Sequence, residues 1–210
     1  MKIVAPKIAK SLEKINLEEQ WQEGYISNGI ITALDGVDRY IEDRIVFDQV
    51  YFQRSFLEEL HFKSVEFIDC IFDRCDLSNV IFEHAVFHRV QFNGCRMLGT
   101  NMPEAYLTDV TFRDCIASYL NLSASRLKKV GFYSVELTKA DFIEAKLEKV
   151  SIEECRLDGS NFLESSLSGI DLSTNSYDTI TLSLEKLEGC IVSTEQAIGF
   201  ARMIGLIVKE

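Results

Sequence analysis

Residues 65–94 read VEFID-CIFDR-CDLSN-VIFEH-AVFHR-VQFNG, six units of five residues in which a large apolar side chain always stands third. The spacing continues in both directions, because all thirty residues taken every fifth position from Phe47 to Val192 are apolar. The first position of each unit is mostly small or β-branched, and all six cysteines stand there. Of the 37 charged residues between 45 and 194, only Glu185 falls at a first or third position.

A period of five fits neither the 3.6-residue repeat of an α-helix nor the two-residue repeat of a flat strand. A chain that turns a corner every five residues would place its first and third positions inside and the other three outside. The two apolar positions would then form a continuous core, with the charged residues on its surface.

Units such as Ala140-Asp141-Phe142-Ile143-Glu144 resemble the A-(D/N)-L-x-x consensus of the pentapeptide-repeat family. The resemblance implies an all-β fold, a right-handed quadrilateral β-helix with twenty residues per coil. We name its sides faces 1 to 4, after the third-position residues 47, 52, 57 and 62 and every twentieth residue beyond each. This coil predicts that Asn101, Asn121, Asp141 and Asn161 stack in a ladder that binds turn amides.

The repeat divides the chain into three parts. Residues 1–44 do not follow it and are predicted to be an N-terminal cap, residues 45–194 form the β-helix, and residues 195–210 form a C-terminal capping helix and a short strand. Ser193 and Gln196 fit a capping box at the start of that helix. Around Pro103, which lacks a backbone N–H, we expect a local distortion without a long loop.

The segment 195–208, EQAIGFARMIGLIV, resembles the C-terminal helix of Qnr-type quinolone-resistance proteins. That resemblance implies a tail-to-tail homodimer, and a monomeric cap is the alternative. It also implies a DNA mimic that engages DNA gyrase or topoisomerase IV. The predicted dimer interface consists of Ala197, Ile198, Phe200, Ala201, Ile204 and Leu206.

The chain is acidic, with a formal net charge of -11, which argues against direct binding of nucleic acid or of anionic membranes. It has no apolar stretch long enough for a signal peptide or a membrane span, so we expect a cytoplasmic protein. The coil predicts a charge of -4 on face 4 and a mixed surface on face 1. The candidate partner-binding wall on face 4 consists of Glu83, Glu104, Asp141, Glu144 and Glu164.

Nothing in the sequence predicts an enzyme, a cofactor or a metal. The cysteines form no C-x-x-C pair and are expected to fill the core, and the three histidines fall at outward positions. No phosphate-binding loop, dinucleotide fingerprint or nucleophile elbow is present. Two hypotheses remain: a DNA mimic acting on a type II topoisomerase, and a scaffold that binds an unidentified protein through a flat face.

Overall fold

The computed structural model describes residues 1–9, 11–15, 17–34, 38–42 and 44–209. The chain forms the predicted right-handed, four-sided β-helix of about eight turns. Its strands are β1 (Glu13–Lys14), β2 (Tyr25–Ile31), β3 (Tyr40–Ile41), β4 (Ile45–Gln53), β5 (His61–Phe62), β6 (Val65–Asp73), β7 (Ile81–Phe82), β8 (Val86–Asn93), β9 (Tyr106–Arg113), β10 (Arg126–Tyr133), β11 (Lys146–Glu153), β12 (Ser160–Phe162) and β13 (Ile180–Leu182). Its helices are α1 (Leu17–Gln22), a 3₁₀ turn (Leu184–Lys186) and α2 (Thr194–Met203).

Faces 1 and 2 share one parallel sheet, in the order β1-β2-β4-β6-β8-β9-β10-β11. From β4 onward its strands pair at an offset of twenty residues, as Phe47 with Phe67 shows. Face 3 is joined by single bridges such as that between Asp76 and Arg96. Face 4 begins as β3-β5-β7, continues as single bridges and ends as β12-β13. The twenty-residue coil predicted from the sequence is therefore confirmed.

The fifth position of each unit makes the corner between two faces. Twenty of the 21 non-glycine residues with positive φ stand at this position, the exception being Asn28, which precedes the regular repeat, and their φ values lie between 50° and 63°. A type II turn requires a left-handed residue at its third place, and its closing bond appears, for example, from the Val80 N–H to the Leu77 carbonyl at 3.2 Å. Such closing bonds recur at the corners that follow faces 3 and 4, so the repeat of five corresponds to one short extended segment followed by one left-handed corner, which after these two faces is a type II turn.

Large third-position side chains fill the interior in vertical columns. On face 2 the rings of Phe72, Phe92, Phe112 and Phe132 stack with successive centroids 4.8 Å apart. That distance equals the strand spacing of about 4.8 Å, because each ring lies directly above its equivalent in the previous coil. Full burial of each such ring stabilises the fold by about 1.5–3 kcal/mol. The predicted inward orientation of Phe72 and Phe92 is confirmed, since both are 0% exposed.

The first position supplies the smaller inward side chains. Five of the six cysteines are buried here, as predicted, and Cys190 is half-buried. Where this position holds a hydroxyl, the hydroxyl donates to a carbonyl of the preceding coil, as from Ser160 to Leu137, 23 residues earlier, at 2.7 Å. The cysteine thiols make the equivalent contact, for example from Cys95 to the Phe72 carbonyl at 3.4 Å. Polar groups at this position are thus satisfied within the stacked backbone.

The parallel sheet extends beyond residue 45 into the segment predicted to be an N-terminal cap. Strand β2 pairs with β4, placing Ile26 beside Phe47 and Ile31 beside Phe52. The offset is 21 residues instead of twenty, because one additional residue lies between Ile41 and Phe47. This extra residue shifts the frame, which is why the five-residue count does not recover this coil.

The predicted distortion around Pro103 was wrong. Met97 and Met102 are fully buried, and Glu104 keeps the corner conformation with φ of 54°. Proline is well suited to the second place of a type II turn. In the next coil the N–H at this position, that of Ser123, donates to the Asn121 side chain and not to a neighbouring coil. A proline therefore removes no bond between coils.

The 3₁₀ turn interrupts the regular coil at residues 184–186, and pairing between coils continues to Ile191, which bridges Asp171. Glu185, the one charged residue at an inward position of the repeat, lies in the 3₁₀ turn and is exposed. The following helix α2 has the predicted capping box, with the Ser193 side chain accepting from the Gln196 N–H. Gln196 also anchors α2, because its Nε2 donates to the carbonyls of Leu172 and Asn175 at 2.9 and 3.1 Å. Within the described residues no helix combines the length and apolar character of a membrane span.

Candidate protein-interaction surfaces

The five acidic residues predicted to form a partner-binding wall all lie on face 4. Glu104, Glu144 and Glu164 occupy its corner column, each with the left-handed backbone of a fifth position. Glu83 is at a fourth position and Asp141 at a second position, so both lie beside this column. Because equivalent residues in successive coils are about 4.8 Å apart, Glu144 and Glu164 are adjacent steps and Glu104 lies two coils before Glu144.

Two histidines and one lysine lie close to the carboxylates of this wall. His61 lies 3.4 Å from Glu83, and His84 lies 3.7 Å from Glu104. Lys186 lies 3.9 Å from Glu164, which also accepts a hydrogen bond from the Ser183 hydroxyl at 3.1 Å.

Asp141 and Glu144 differ from the other acidic residues of the wall. Among the residues that the structure describes, neither has a basic partner within 4.0 Å. The densest uncompensated charge on face 4 therefore lies in the coil of residues 141–144.

The predicted stack of Asn101, Asn121, Asp141 and Asn161 beside this wall is present, but only two of the four side chains bind turn amides. Asn121 and Asn161 accept hydrogen bonds from the turn amides of Ser123 and Leu163 at 2.9 and 3.1 Å. Asn101 has no such amide to bind because Pro103 follows it, and its Oδ1 accepts from the Asn121 Nδ2 at 2.8 Å instead. The ladder fixes the second position of face 4 and leaves the corner carboxylates as its projecting groups.

A basic surface begins immediately beyond the acidic corner. Face 1 carries it in two consecutive coils, on Arg126, Lys128, Lys129, Lys146 and Lys149. Lys128 pairs with Glu148 at 3.6 Å, and the Arg126 guanidinium lies 5.4 Å from the centre of the Tyr106 ring. Because Lys146 follows Glu144 by two residues, the acidic surface ends at the edge of face 4.

The C-terminal segment projects apolar side chains into solvent. Ile204 and Leu206, both in the predicted dimer interface, are 55% and 56% exposed, and the neighbouring Ile207 is 91% exposed. The other predicted interface residues differ, because Ile198, Phe200 and Ala201 are half-buried and Ala197 is exposed. The Phe200 ring turns toward the solenoid, with its centroid 6.5 Å from that of Tyr177. Phe200 therefore seals the last coil, while Ile204 and Leu206 extend the apolar surface outward.

A groove of about 680 Å³ runs between α2 and the last coils, a feature that the sequence did not predict. Tyr177, Gln196, Phe200 and Met203 contribute to its lining. A further feature missed from the sequence is the path of residues 1–9, which cross the outside of the solenoid at Asp69 and Asp109. No periodicity marks either one, because both depend on how a non-repeating segment packs against the coils.

Burial suppresses the reactivity of some of the thiols, whereas hydrogen bonds with Cys95 lower the pKa of Cys75 and Cys115. Burial raises the pKa of Cys155 to about 11 and raises the pKa of Cys70 further. The thiolate is the reactive form of cysteine, so both remain protonated near neutral pH. In the part of the chain that the structure describes, no group of three or more His, Cys, Asp or Glu residues is arranged to hold a metal ion.

Solved structures with similar coordinates were found, whereas no curated protein matches the sequence. A trypsin-treated variant of QnrB1, a plasmid-mediated fluoroquinolone resistance protein, is 18% identical with a TM-score of 0.43, over 86% of this chain and 99% of that one. HetL, a pentapeptide repeat protein involved in heterocyst differentiation regulation from the cyanobacterium Nostoc sp. strain PCC 7120, is 18% identical with a TM-score of 0.42, over 87% and 94%. Rfr23 from the cyanobacterium Cyanothece 51142 is 14% identical with a TM-score of 0.27, over 85% and 97%.

Family models match the repeat itself. The model described as pentapeptide repeats (8 copies) matches residues 45–83 and 61–99, and the pentapeptide repeat region model matches residues 85–162. Together they cover residues 45–162 without a gap, which is more than half of the 210 residues. The stacked coils and their left-handed corners are the structural expression of that repeat, and the chain belongs to the pentapeptide-repeat family.

Proposed function

We propose that the protein is a non-enzymatic, protein-binding solenoid whose acidic face 4 occupies the DNA-binding groove of a type II topoisomerase, DNA gyrase or topoisomerase IV. Such binding would modulate the action of quinolones on that enzyme. The observation that carries the proposal is the column of Glu104, Glu144 and Glu164, whose carboxylates project from equivalent corners of a tightly packed solenoid.

The spacing of these carboxylates determines how strongly the column can bind a basic groove. Duplex DNA carries one negative charge about every 1.7 Å along its axis, whereas the column offers at most one carboxylate per coil of about 4.8 Å. A basic groove would therefore bind face 4 more weakly than DNA, through fewer contacts. Because these contacts are exposed, the association should weaken as salt screens them.

A second copy of the chain is the other partner in this proposal. The exposed Ile204, Leu206 and Ile207 form an apolar end surface on an otherwise charged rod. Joining two such ends would remove this surface from water and double the length of the rod. The dimer would present two copies of face 4, arranged by a two-fold axis, to a topoisomerase that is itself symmetric.

A supercoiling assay tests the proposed partner. We expect micromolar concentrations of the protein to inhibit DNA gyrase or topoisomerase IV from the native host, or to restore activity in the presence of a fluoroquinolone. Replacing Glu104, Glu144 and Glu164 together by lysine should abolish the effect. The backbone should tolerate these changes, because Lys139 and Lys149 already occupy the same corner position.

The matched control reverses three exposed carboxylates on other faces, Glu58, Glu153 and Glu154, and changes the net charge by the same amount. This control should retain the effect on the topoisomerase. Equal losses in both triple variants would mean that overall charge, and not face 4, governs binding. No effect of the unmodified protein on either enzyme would remove the topoisomerase from the proposal.

A further inference from the structure

The first nine residues form a strap that runs along the outside of the solenoid, over the corner column between faces 1 and 2. We call residues 1–9 the N-terminal strap, and the column of Asp69, Arg89, Asp109 and Lys129 the strap edge. The Val4 N–H donates to the Asp109 carboxylate at 2.9 Å, and the Lys7 N–H donates to the Asp69 carboxylate at 2.9 Å. These two hydrogen bonds involve the backbone of the strap and therefore do not depend on which side chains the strap carries.

The spacing of the strap matches the spacing of the coils. Asp69 and Asp109 are forty residues apart, which is two coils or about 9.6 Å along the axis. Val4 and Lys7 are three residues apart, which spans about 9.3 Å in a polyproline II conformation. An extended chain parallel to the axis therefore brings one N–H to every second coil without adjustment.

The strap sequence is adapted to this position. Pro6 stands between the two bonded residues, at a place where no N–H is used. Proline fixes its own φ near the polyproline II value and biases the preceding residue, Ala5, toward extended conformations. The strap is consequently preorganised for the strap edge, which lowers the entropic cost of binding.

The strap edge presents buried polar groups to its ligand. Asp69 and Asp109 are only 5% and 7% exposed. Arg89 holds the Asp69 carboxylate in place through two bonds, at 2.5 and 2.6 Å. Burial by itself raises the pKa of Asp69, but hydrogen bonds from Arg89 and the Lys7 N–H outweigh it and lower the pKa. Asp69 is therefore a fixed, ionised acceptor for a backbone N–H.

The strap leaves part of the space beside the strap edge unfilled. A pocket of about 290 Å³ remains beside residues 1–5, lined also by Asp109, Thr111 and Tyr133. Thr111 lines this pocket and is 5% exposed, and its buried hydroxyl has no hydrogen-bond partner among the described residues. A ligand with a longer polar side chain at this point would fill the pocket, and a small shift of Thr111 would let it bind that hydroxyl.

We propose that the strap edge is a binding site for an extended peptide segment of another protein, and that the N-terminal strap occupies it in cis as a competitor. The ligand class is a segment in polyproline II conformation with free backbone N–H groups three residues apart. The strap edge borders face 1 on the side opposite to face 4, so this site is separate from the acidic wall and does not depend on the topoisomerase proposal.

This inference can be tested with variants of the full chain in which the strap is released from the strap edge. Val4→Pro with Lys7→Pro removes both donating N–H groups and leaves the solenoid unchanged, as circular dichroism would verify. A fluorescent peptide with the sequence of residues 1–9 is then titrated and followed by polarisation. We expect the double variant to bind it at least tenfold more tightly than the unmodified protein, in which the strap blocks the site.

Two further measurements identify the contacts. A peptide N-methylated at its fourth and seventh residues should lose at least tenfold in affinity for the double variant, whereas one N-methylated at its fifth residue should retain most of it. Adding Asp109→Ala to the double variant should also weaken binding at least tenfold. Equal binding by the unmodified protein and the double variant, or indifference to N-methylation at the fourth and seventh residues, would overturn the proposal.

Discussion

At the scale of single residues, the fifth position of each unit carries most of the conformational strain of the backbone. Left-handed conformations disfavour side chains with a Cβ by about 1–2 kcal/mol, yet 21 such corners hold residues other than glycine. Many of them are charged, including Arg74, Glu104 and Lys139. The buried columns inside each corner offset this local strain, and in return the protein has side chains for binding at every edge.

Ala124 provides a direct test of corner strain, because its methyl group is exposed and its φ is 56°. We expect Ala124→Gly to raise the free energy of unfolding by up to about 1 kcal/mol, since glycine adopts this conformation without a Cβ penalty. The control is Ser123→Gly, one residue earlier in the same turn, which should lower it. Urea denaturation measures both changes, and a destabilised Ala124→Gly protein would contradict the assigned corner geometry.

At the scale of elements, the sequence predicts whatever repeats and misses what does not. The faces, the Asn101–Asn121 ladder and the capping box of α2 follow from five-residue or helical spacing. The coil that contains β2 was not recognised because one additional residue before Phe47 breaks the count. The Pro103 prediction failed because the sequence does not show which N–H groups bond between coils. The strap and the groove beside α2 depend on packing that no local pattern encodes.

The C-terminal segment carries the prediction of a dimer. We expect the unmodified protein to have twice the 23.9 kDa monomer mass, and Ile204→Asp with Leu206→Asp to be monomeric. Both residues are more than half exposed, so the double change should leave the last coil sealed by Phe200. Phe56→Asp, at a 74% exposed position on face 3, is the control and should remain dimeric. Light scattering measures the mass of each protein, and a double variant that keeps the dimer mass would refute the interface.

At the scale of the whole molecule, the protein is a rod in which each proposed binding surface lies at a different edge or end. The acidic column borders face 1 on one side, the strap edge borders it on the other, and the apolar end lies at the C-terminus. A solenoid is suited to such a division because each coil contacts only its neighbours, so its outward residues vary independently of the core. All of these surfaces depend on one register, in which residues twenty apart lie directly above one another.

Distances between spin labels measure that register directly. Gln53, Arg113 and Glu153 are exposed fourth-position residues of face 2, and the second and third lie three and five coils beyond the first. With Cys190 replaced by serine, cysteine pairs at 53/113 and 53/153 carry the labels. At about 4.8 Å per coil, the second distance should exceed the first by about 10 Å. Two distances that fail to differ in this way would contradict the stacked coil and every surface built on it.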